Sequence, residues 1–314
     1  MNKIGGNVPV VVFAYNRPRH LEATLWALRS AHGASEIDLL IFCDGPRSES
    51  EQNPVNEVRD IAQNAQGFRS VKVFASSENC GLGNSVIRGV GYALSFYESV
   101  IVIEDDVEVS PGFLVYMHGA LHEYVNNNKV FSISGYSPPV EGRERFGNGF
   151  FIPRICSWGW ATWRDRWQSV DWNVGEYALF IKDRSRRLEF CRAGRDMLDM
   201  LINQVEGESE SWAIRFDFAR FISGDGLTLY PSSSLVKNSG MDGSGEHFEK
   251  SRRYRTQMSE RTEFVFPPLV EEAGELTVAF SAFYPRRLRS RLAIWARRMH
   301  VHGPARKAFR FVLR

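Results

Sequence analysis

Apolar residues along the first hundred positions come in short unbroken runs: Val8 to Ala14, Leu39 to Phe42, Val71 to Phe74 and Val100 to Ile103. Runs of this length, rich in β-branched residues, predict strands buried on both faces. Between them lie stretches with helical spacing, Pro18 to Arg29, Pro54 to Gln63 and Ser85 to Tyr97. In the first of these Leu21, Leu25 and Leu28 share one face, and Pro18 suits an opening turn. Strand and helix alternating in this way predict βαβ units, and so an α/β protein with a mostly parallel central sheet flanked by helices. The first, second and fourth runs end in polar clusters, Tyr15-Asn16-Arg17, Asp44-Gly45-Pro46 and Glu104-Asp105-Asp106. Ligands of open α/β sheets bind beyond the carboxyl ends of the strands, so the three clusters are expected around one crevice.

From about Ser132 the pattern changes to aromatic and glycine-rich segments, SGYSPP, SWGWATW and DWN. A helix is then predicted around Ser211 to Ile222 and a strand over Leu227 to Tyr230. After Phe266-Pro267-Pro268 the character shifts again. Leu288, Leu292, Trp295 and Met299 recur at i, i+4, i+7 and i+11 with arginines on the other faces, a basic amphipathic helix within 285–314 that suits a membrane surface. The expected organisation is a main domain over 1–250 and a C-terminal extension over 251–314.

The 314 residues are 43% hydrophobic and 24% charged, the composition of a globular chain able to bury a core. A net charge of +2 conceals an asymmetry: none of the 37 acidic residues lies beyond position 275, whereas ten of the 39 Lys and Arg do. An acidic body with a basic end points to phosphate-bearing surfaces as partners. Cys43, Cys80, Cys156 and Cys191 lie far apart with no CxxC pair, which argues against a zinc site or a disulfide framework and for a reducing cytosol. The apolar run near the N-terminus is broken by Asn16 and Arg17 and lacks a small-residue cleavage site, and no stretch reaches the ~18 apolar residues of a membrane span. A chain that crosses no bilayer is expected.

Candidate chemistry concentrates in VIVIEDDVEVSPGF, residues 100–113, where a buried strand runs into three consecutive carboxylates. Such a cluster is costly unless a positive group sits there, and its hard oxygens suit Mg²⁺ or Mn²⁺ holding a diphosphate; the alternative is a solvated turn. Asp44 reads either as a turn residue or as a base or ribose contact, and Arg17 either as a cap of the sheet edge or as a donor beside a nucleotide. Gly81 and Gly83 open a helix where backbone N–H groups could approach a phosphate, and Arg88 on that helix is a second positive group or a solvated arginine. The fingerprints GxGxxG, GxxxxGK[ST] and GxSxG are absent, which argues against NAD, P-loop and α/β-hydrolase chemistry.

These residues resemble a family. AYNRP, FCDGP and above all VIVIEDDVEVSPGF are similar to the glycosyltransferase A (Rossmann-like) fold, and within it to the N-acetylglucosaminyltransferase I group and its bacterial relatives. The likeness continues through SWGWATW, SWAIRF, LTLYPSSSLVKNSG and GSGEHF, over roughly residues 8–250. It implies a donor site that includes Ala14, Tyr15, Asn16 and Arg17, with Arg17 and Asp44 on the nucleotide base, Glu104 and Asp105 on base, ribose or sugar, and Asp106 as direct ligand of Mn²⁺ or Mg²⁺. Gly83 and Arg88 would lie near the phosphates, and Trp158 and Trp160 would line the donor and acceptor cleft unless they pack in the core. His247, or the neighbouring Asp242, would complete the metal or diphosphate site from a Gly-rich segment. The family's general base sits at or before the helix matched here by Ser211 to Ile222. This chain departs from the group's acidic pattern, since Ala213 follows Trp212, and the base is assigned to Glu210, then Asp217, then Glu208.

The expectation is an inverting, metal-dependent hexosyl- or N-acetylhexosaminyltransferase. It would move sugar from a nucleotide sugar, a UDP sugar, to a saccharide or lipid-linked hydroxyl in bacterial surface polysaccharide assembly. It would act in the cytoplasm, held on the inner face of the cell membrane by the basic tail. One rival is a sugar-nucleotide pyrophosphorylase, which would want a glycine-rich loop where AYNRPRH stands. Another is a non-catalytic polysaccharide- or membrane-binding protein on a degenerate transferase fold. Nucleic acid is not expected as a partner, because the tail lacks interleaved stacking aromatics.

Overall fold

The computed structural model of the chain describes residues 8–224, 226–240, 253–286 and 288–298. Its first half runs β1 (Val10–Ala14), α1 (Pro18–Arg29), β2 (Asp38–Cys43), α2 (Gln52–Gln63), β3 (Ser70–Ala75), α3 (Leu82–Phe96), β4 (Ser99–Glu104), β5 (Val107–Val109) and α4 (Phe113–Glu123). Then follow β6 (Val130–Ser134), β7 (Gly149–Ile152), β8 (Trp160–Trp163), α5 (Arg164–Gln168), α6 (Tyr177–Phe180), α7 (Arg184–Phe190) and α8 (Met197–Val205). The chain continues through α9 (Trp212–Ile222), β9 (Leu227–Pro231), β10 (Val236–Asn238), α10 (Gly274–Phe283) and α11 (Leu288–Arg298).

Eight strands make one sheet in the order β3-β2-β1-β4-β8-β6-β9-β7, and β5 and β10 make a separate ribbon. Strands β3, β2, β1 and β4 are parallel, as their unbroken apolar runs predict. Strands β1 and β4 are buried along almost their whole length, whereas β3, at the sheet edge, has no fully buried residue and departs from the expected double covering. Val10, Val12 and Ala14 of β1 face the layer that holds Leu21, Leu25 and Leu28 of α1, while Val11 and Phe13 face Val86 and Val90 of α3 and Trp212 and Phe216 of α9. Beyond β4 the sheet is mixed, because β8 enters antiparallel between β4 and β6. The parallel reading therefore describes the first half better than the second.

Helix α3 opens at Leu82, three residues ahead of the predicted start. Gly81 stands at its N-cap with φ +75°, a backbone conformation natural to glycine, and its carbonyl already accepts from Ser85 N at 3.0 Å. The described part of the extension is built into the body: Phe264 and Phe266 pack on Tyr116 at 5.1 and 5.5 Å, and Phe280 of α10 packs on Phe150 and Tyr230 at 6.0 and 5.0 Å. Helix α11 lies on α8 through buried Ile294 and through Arg297, which bonds Glu206 at 2.9 Å and Asn203 at 2.6 Å. Of the predicted apolar stripe, Leu288 and Trp295 remain exposed, Leu292 is half-buried, and Met299 lies outside the described residues. No helix among the described residues is long and apolar enough to cross a membrane.

Candidate active site

Strand β4 stops at Glu104, and Asp105 and Asp106 form the turn into β5. The turn is pinned from below: Asp105 N donates to Phe13 O at 2.9 Å, and Thr24 of α1 donates to Asp105 O at 2.7 Å. Both aspartates are buried, and Arg17, at the head of α1, answers them with one guanidinium. It pairs with Asp105 through Nη2 and with Asp106 Oδ2 through Nη1 at 2.9 Å. A solvated turn, the alternative for this motif, is thus not what the chain builds.

Three carboxyl groups face one arginine, and the imbalance shows in their proton affinities. Burial, with Asp106 and Asp105 adding to it, pushes Glu104 up to about 8. Burial raises Asp105 to about 6 even though Arg17 works the other way. Among the described residues no group of three or more His, Cys, Asp and Glu side chains encloses a metal. Asp106 brings hard carboxylate oxygens of the kind that suit a divalent cation, with Oδ2 on Arg17 and Oδ1 accepting from Asn238. His247 and Asp242 lie outside the described residues.

The remaining strand ends close the same crevice, a cavity of about 140 Å³ bordered by Ala14 to Arg17, Asp44, Glu104 to Asp106 and Trp158. The Asp44 carboxylate accepts three backbone N–H groups, those of Gly45 at 2.9 Å, Cys80 at 2.8 Å and Gly81 at 3.0 Å. It therefore fixes the glycine loop before α3 as well as facing the cavity. Tyr15 donates its hydroxyl to Glu51, and Asn16 donates to the same carboxylate at 3.1 Å. Burial, with help from Glu51, pushes the Tyr15 hydroxyl up to about 12.

Several cavity residues carry no sequence signal of their own. Arg47 stacks 5.4 Å over Tyr15 and donates through Nε to Asn79 at 3.2 Å, and both reach the cavity from loops after β2 and β3. Asn238, at the end of β10, donates to Asp106 Oδ1 at 3.1 Å, and Ser239 N donates to Asp106 O at 2.8 Å. Gly240 follows so closely that a Cβ there would lie 2.1 Å from Asp106 Oδ2 and 2.8 Å from Arg17 Nη1. A Cβ there would displace the Asp106 carboxylate and the Arg17 guanidinium from their pairing. The signal available was the small-residue run KNSG, which by itself reads as a loop.

The other predicted residues divide. Trp158 is a wall of the cavity, whereas Trp160 is buried in the core, stacked on Trp212 at 4.6 Å and Trp167 at 5.7 Å. For Trp160 the cleft expectation gives way to core packing: Gly159, at φ +57°, turns the chain between the two tryptophans, so Trp158 stays outside β8 while Trp160 opens it and stacks on Trp212 and Trp167. Arg88 is exposed and donates to Cys80 Sγ at 3.8 Å, and it does not border the cavity. Glu210 is exposed and lies against the glycine loop: a Cβ on Gly81 would stand 3.7 Å from its Oε2, and one on Gly83 3.1 Å from its Cγ. Asp217 is buried inside α9 and accepts from Arg220 Nε at 2.6 Å; burial pushes its pKa upward against that arginine. Glu208 is exposed and reaches Arg297 at 4.0 Å.

Residues 10–177 match the model of Glycosyl transferase family 2. That is more than half of the chain, and the chain belongs to this family. Its α/β sheet, with the acidic turn after β4, is the glycosyltransferase A arrangement. Among solved structures it is similar to S. aureus TarS 1–349, at 13% identity and a TM-score of 0.40, over 75% of this chain and 61% of that one. It is also similar to the mannosyltransferase PcManGT from Pyrobaculum calidifontis, solved with GDP-Man and Mn²⁺, at 11% identity and a TM-score of 0.36, over 52% of this chain and 47% of that one. The chain thus spans about half to three fifths of the length of these proteins.

Proposed function

We propose that the chain transfers a sugar from a UDP sugar to a hydroxyl of a saccharide or lipid-linked saccharide, with inversion and with Mn²⁺ or Mg²⁺ at Asp106. The observation that carries this reading is the convergence of Ala14 to Arg17, Asp44 and Glu104 to Asp106 on one cavity at the carboxyl ends of β1, β2 and β4. A divalent cation, when bound, neutralises charge on the departing nucleoside diphosphate. The chain's own residues do the rest. Arg17 supplies the fixed positive group, Asp44 holds the Gly81 loop against the donor, and Trp158 offers an apolar face beside it.

Glu210 is the general base in this reading. Its exposed carboxylate lies beside Gly81 and Gly83, next to Leu82 of the cavity wall and in the field of Arg215, whereas Asp217 is held in its ion pair with Arg220. The basic end of the chain, of which α11 is the described part, would hold the enzyme on the cytoplasmic face of a membrane near its acceptor. The test is release of UDP from a panel of UDP sugars with Mn²⁺. Glu210→Gln is expected to lower turnover by roughly 10²- to 10⁴-fold while UDP still binds. Wild-type protein that binds UDP yet never turns over would identify a binding protein on a transferase fold.

A further inference from the structure

A second and larger cavity, about 370 Å³, lies on the far side of Trp158, which is a wall of both. Its lining comes from segments distant in sequence: Arg154 to Trp158, helix α8, the first turn of α9, and Arg253, Tyr254, Tyr284 and Pro285 of the extension. Glu210 links segments that border the two spaces. It touches the loop that opens α3, where Leu82 and Ser85 border the donor cavity, and it precedes by a few residues Ala213 and Ile214, which border the second one.

Three acids at the second cavity are paired with arginines in place, while Arg253, which also borders it, donates to the Phe283 carbonyl and lies 4.7 Å over the Phe283 ring. Asp196 takes both oxygens to Arg154 at 2.7 and 3.0 Å, Asp199 takes both to Arg286 at 2.8 and 2.9 Å, and Asp217 is bonded by Arg220 at 2.6 Å. A charged ligand would have to break one of these pairs on entry, which is costly in a partly buried site. What the wall offers instead is aromatic surface from Tyr136, Trp158 and Tyr254, and small polar groups from Ser157 and Asn203. Apolar faces alternating with hydrogen-bonding edges match an uncharged sugar ring.

We infer that this second cavity is the acceptor site and that it takes a neutral saccharide, selected against acidic sugars by its paired arginines and aspartates. The inference rests on the donor reading above. It also gives the extension a task at the site, since Tyr254 and Tyr284 border the cavity.

Saturation-transfer NMR on the full chain tests this with lactose, maltose and chitobiose as neutral probes and glucuronic acid as the charged one, beside a UDP titration of the same samples. Signals are expected from the neutral probes and not from glucuronic acid. Met200→Trp, which fills the cavity from α8, should remove them, and Tyr254→Ala should weaken them about tenfold. Both variants should bind UDP as wild type does. Absence of signal from every neutral probe, equal binding of glucuronic acid, or signals undiminished in Met200→Trp would overturn the inference. If UDP binding persists in those cases, the donor reading stands without it; if wild-type protein binds no UDP, the donor reading falls and takes this one with it.

Discussion

The two sides of Trp158 were assembled by different means. On one side the lining groups hang from the ends of strands: Ala14 to Arg17 after β1, Asp44 after β2 and Glu104 to Asp106 after β4. On the other side Arg154, Asp196, Ala213, Tyr254 and Tyr284 arrive from loops and short helices separated by tens of residues. The difference is one of register. Parallel strands set side by side bring their ends together whatever else the chain does, whereas the second cavity exists only once β8, α8, α9 and the extension have packed.

Strand β8 joins the two halves, and Trp160 is where the joint can be broken. It pairs across to Val102 of β4 and to Ser134 of β6, and its indole fills the layer between α3 and α9. Trp160→Ala is expected to cost about 3–5 kcal/mol of stability, read by denaturant unfolding. If Trp160 instead served the donor, the variant would keep its stability and lose UDP affinity.

The strand-end cavity was legible in the sequence because its residues follow unbroken apolar runs. Four apolar runs, three of them ending in polar clusters, predict four parallel strands and a crevice, and Arg17, Asp44 and Asp106 stand at those three ends around one cavity. Trp158 and Trp160 could not be separated, because SWGWATW has no periodicity before its place in the sheet is known. Arg47, Asn79 and Gly240 matter only through what folding sets beside them, as with the 2.1 Å that a Cβ at Gly240 would leave to Asp106. The glycine loop gave a helix start three residues late, since its Gly81 acts as the cap.

Smaller perturbations sharpen the contrast. His118 of α4 is buried, neither ring nitrogen has a partner, and burial pushes its pKa down to about 4 from 6.5. The unfolded chain therefore takes up a proton that the folded chain refuses. Stability is full above pH 6.5 and falls as pH drops towards 4, by about 3 kcal/mol. His118→Leu should flatten that limb of the stability profile, and an unchanged profile would mean that the imidazole is protonated in the fold. Asp44→Asn leaves one of three backbone donors badly served and is expected to cost about 2 kcal/mol, seen as lower stability together with weaker UDP binding. Arg297→Ala removes a half-exposed pair with Glu206 and should change stability by less than about 1 kcal/mol, leaving UDP binding untouched.

The most direct test of the donor crevice is calorimetric titration of the full chain with UDP and Mn²⁺, repeated with chelator and with Asp106→Ala. Binding that requires both the metal and Asp106 is the predicted result. Equal binding in all three experiments, or none in any, would contradict the placement of a nucleotide diphosphate at the end of β4.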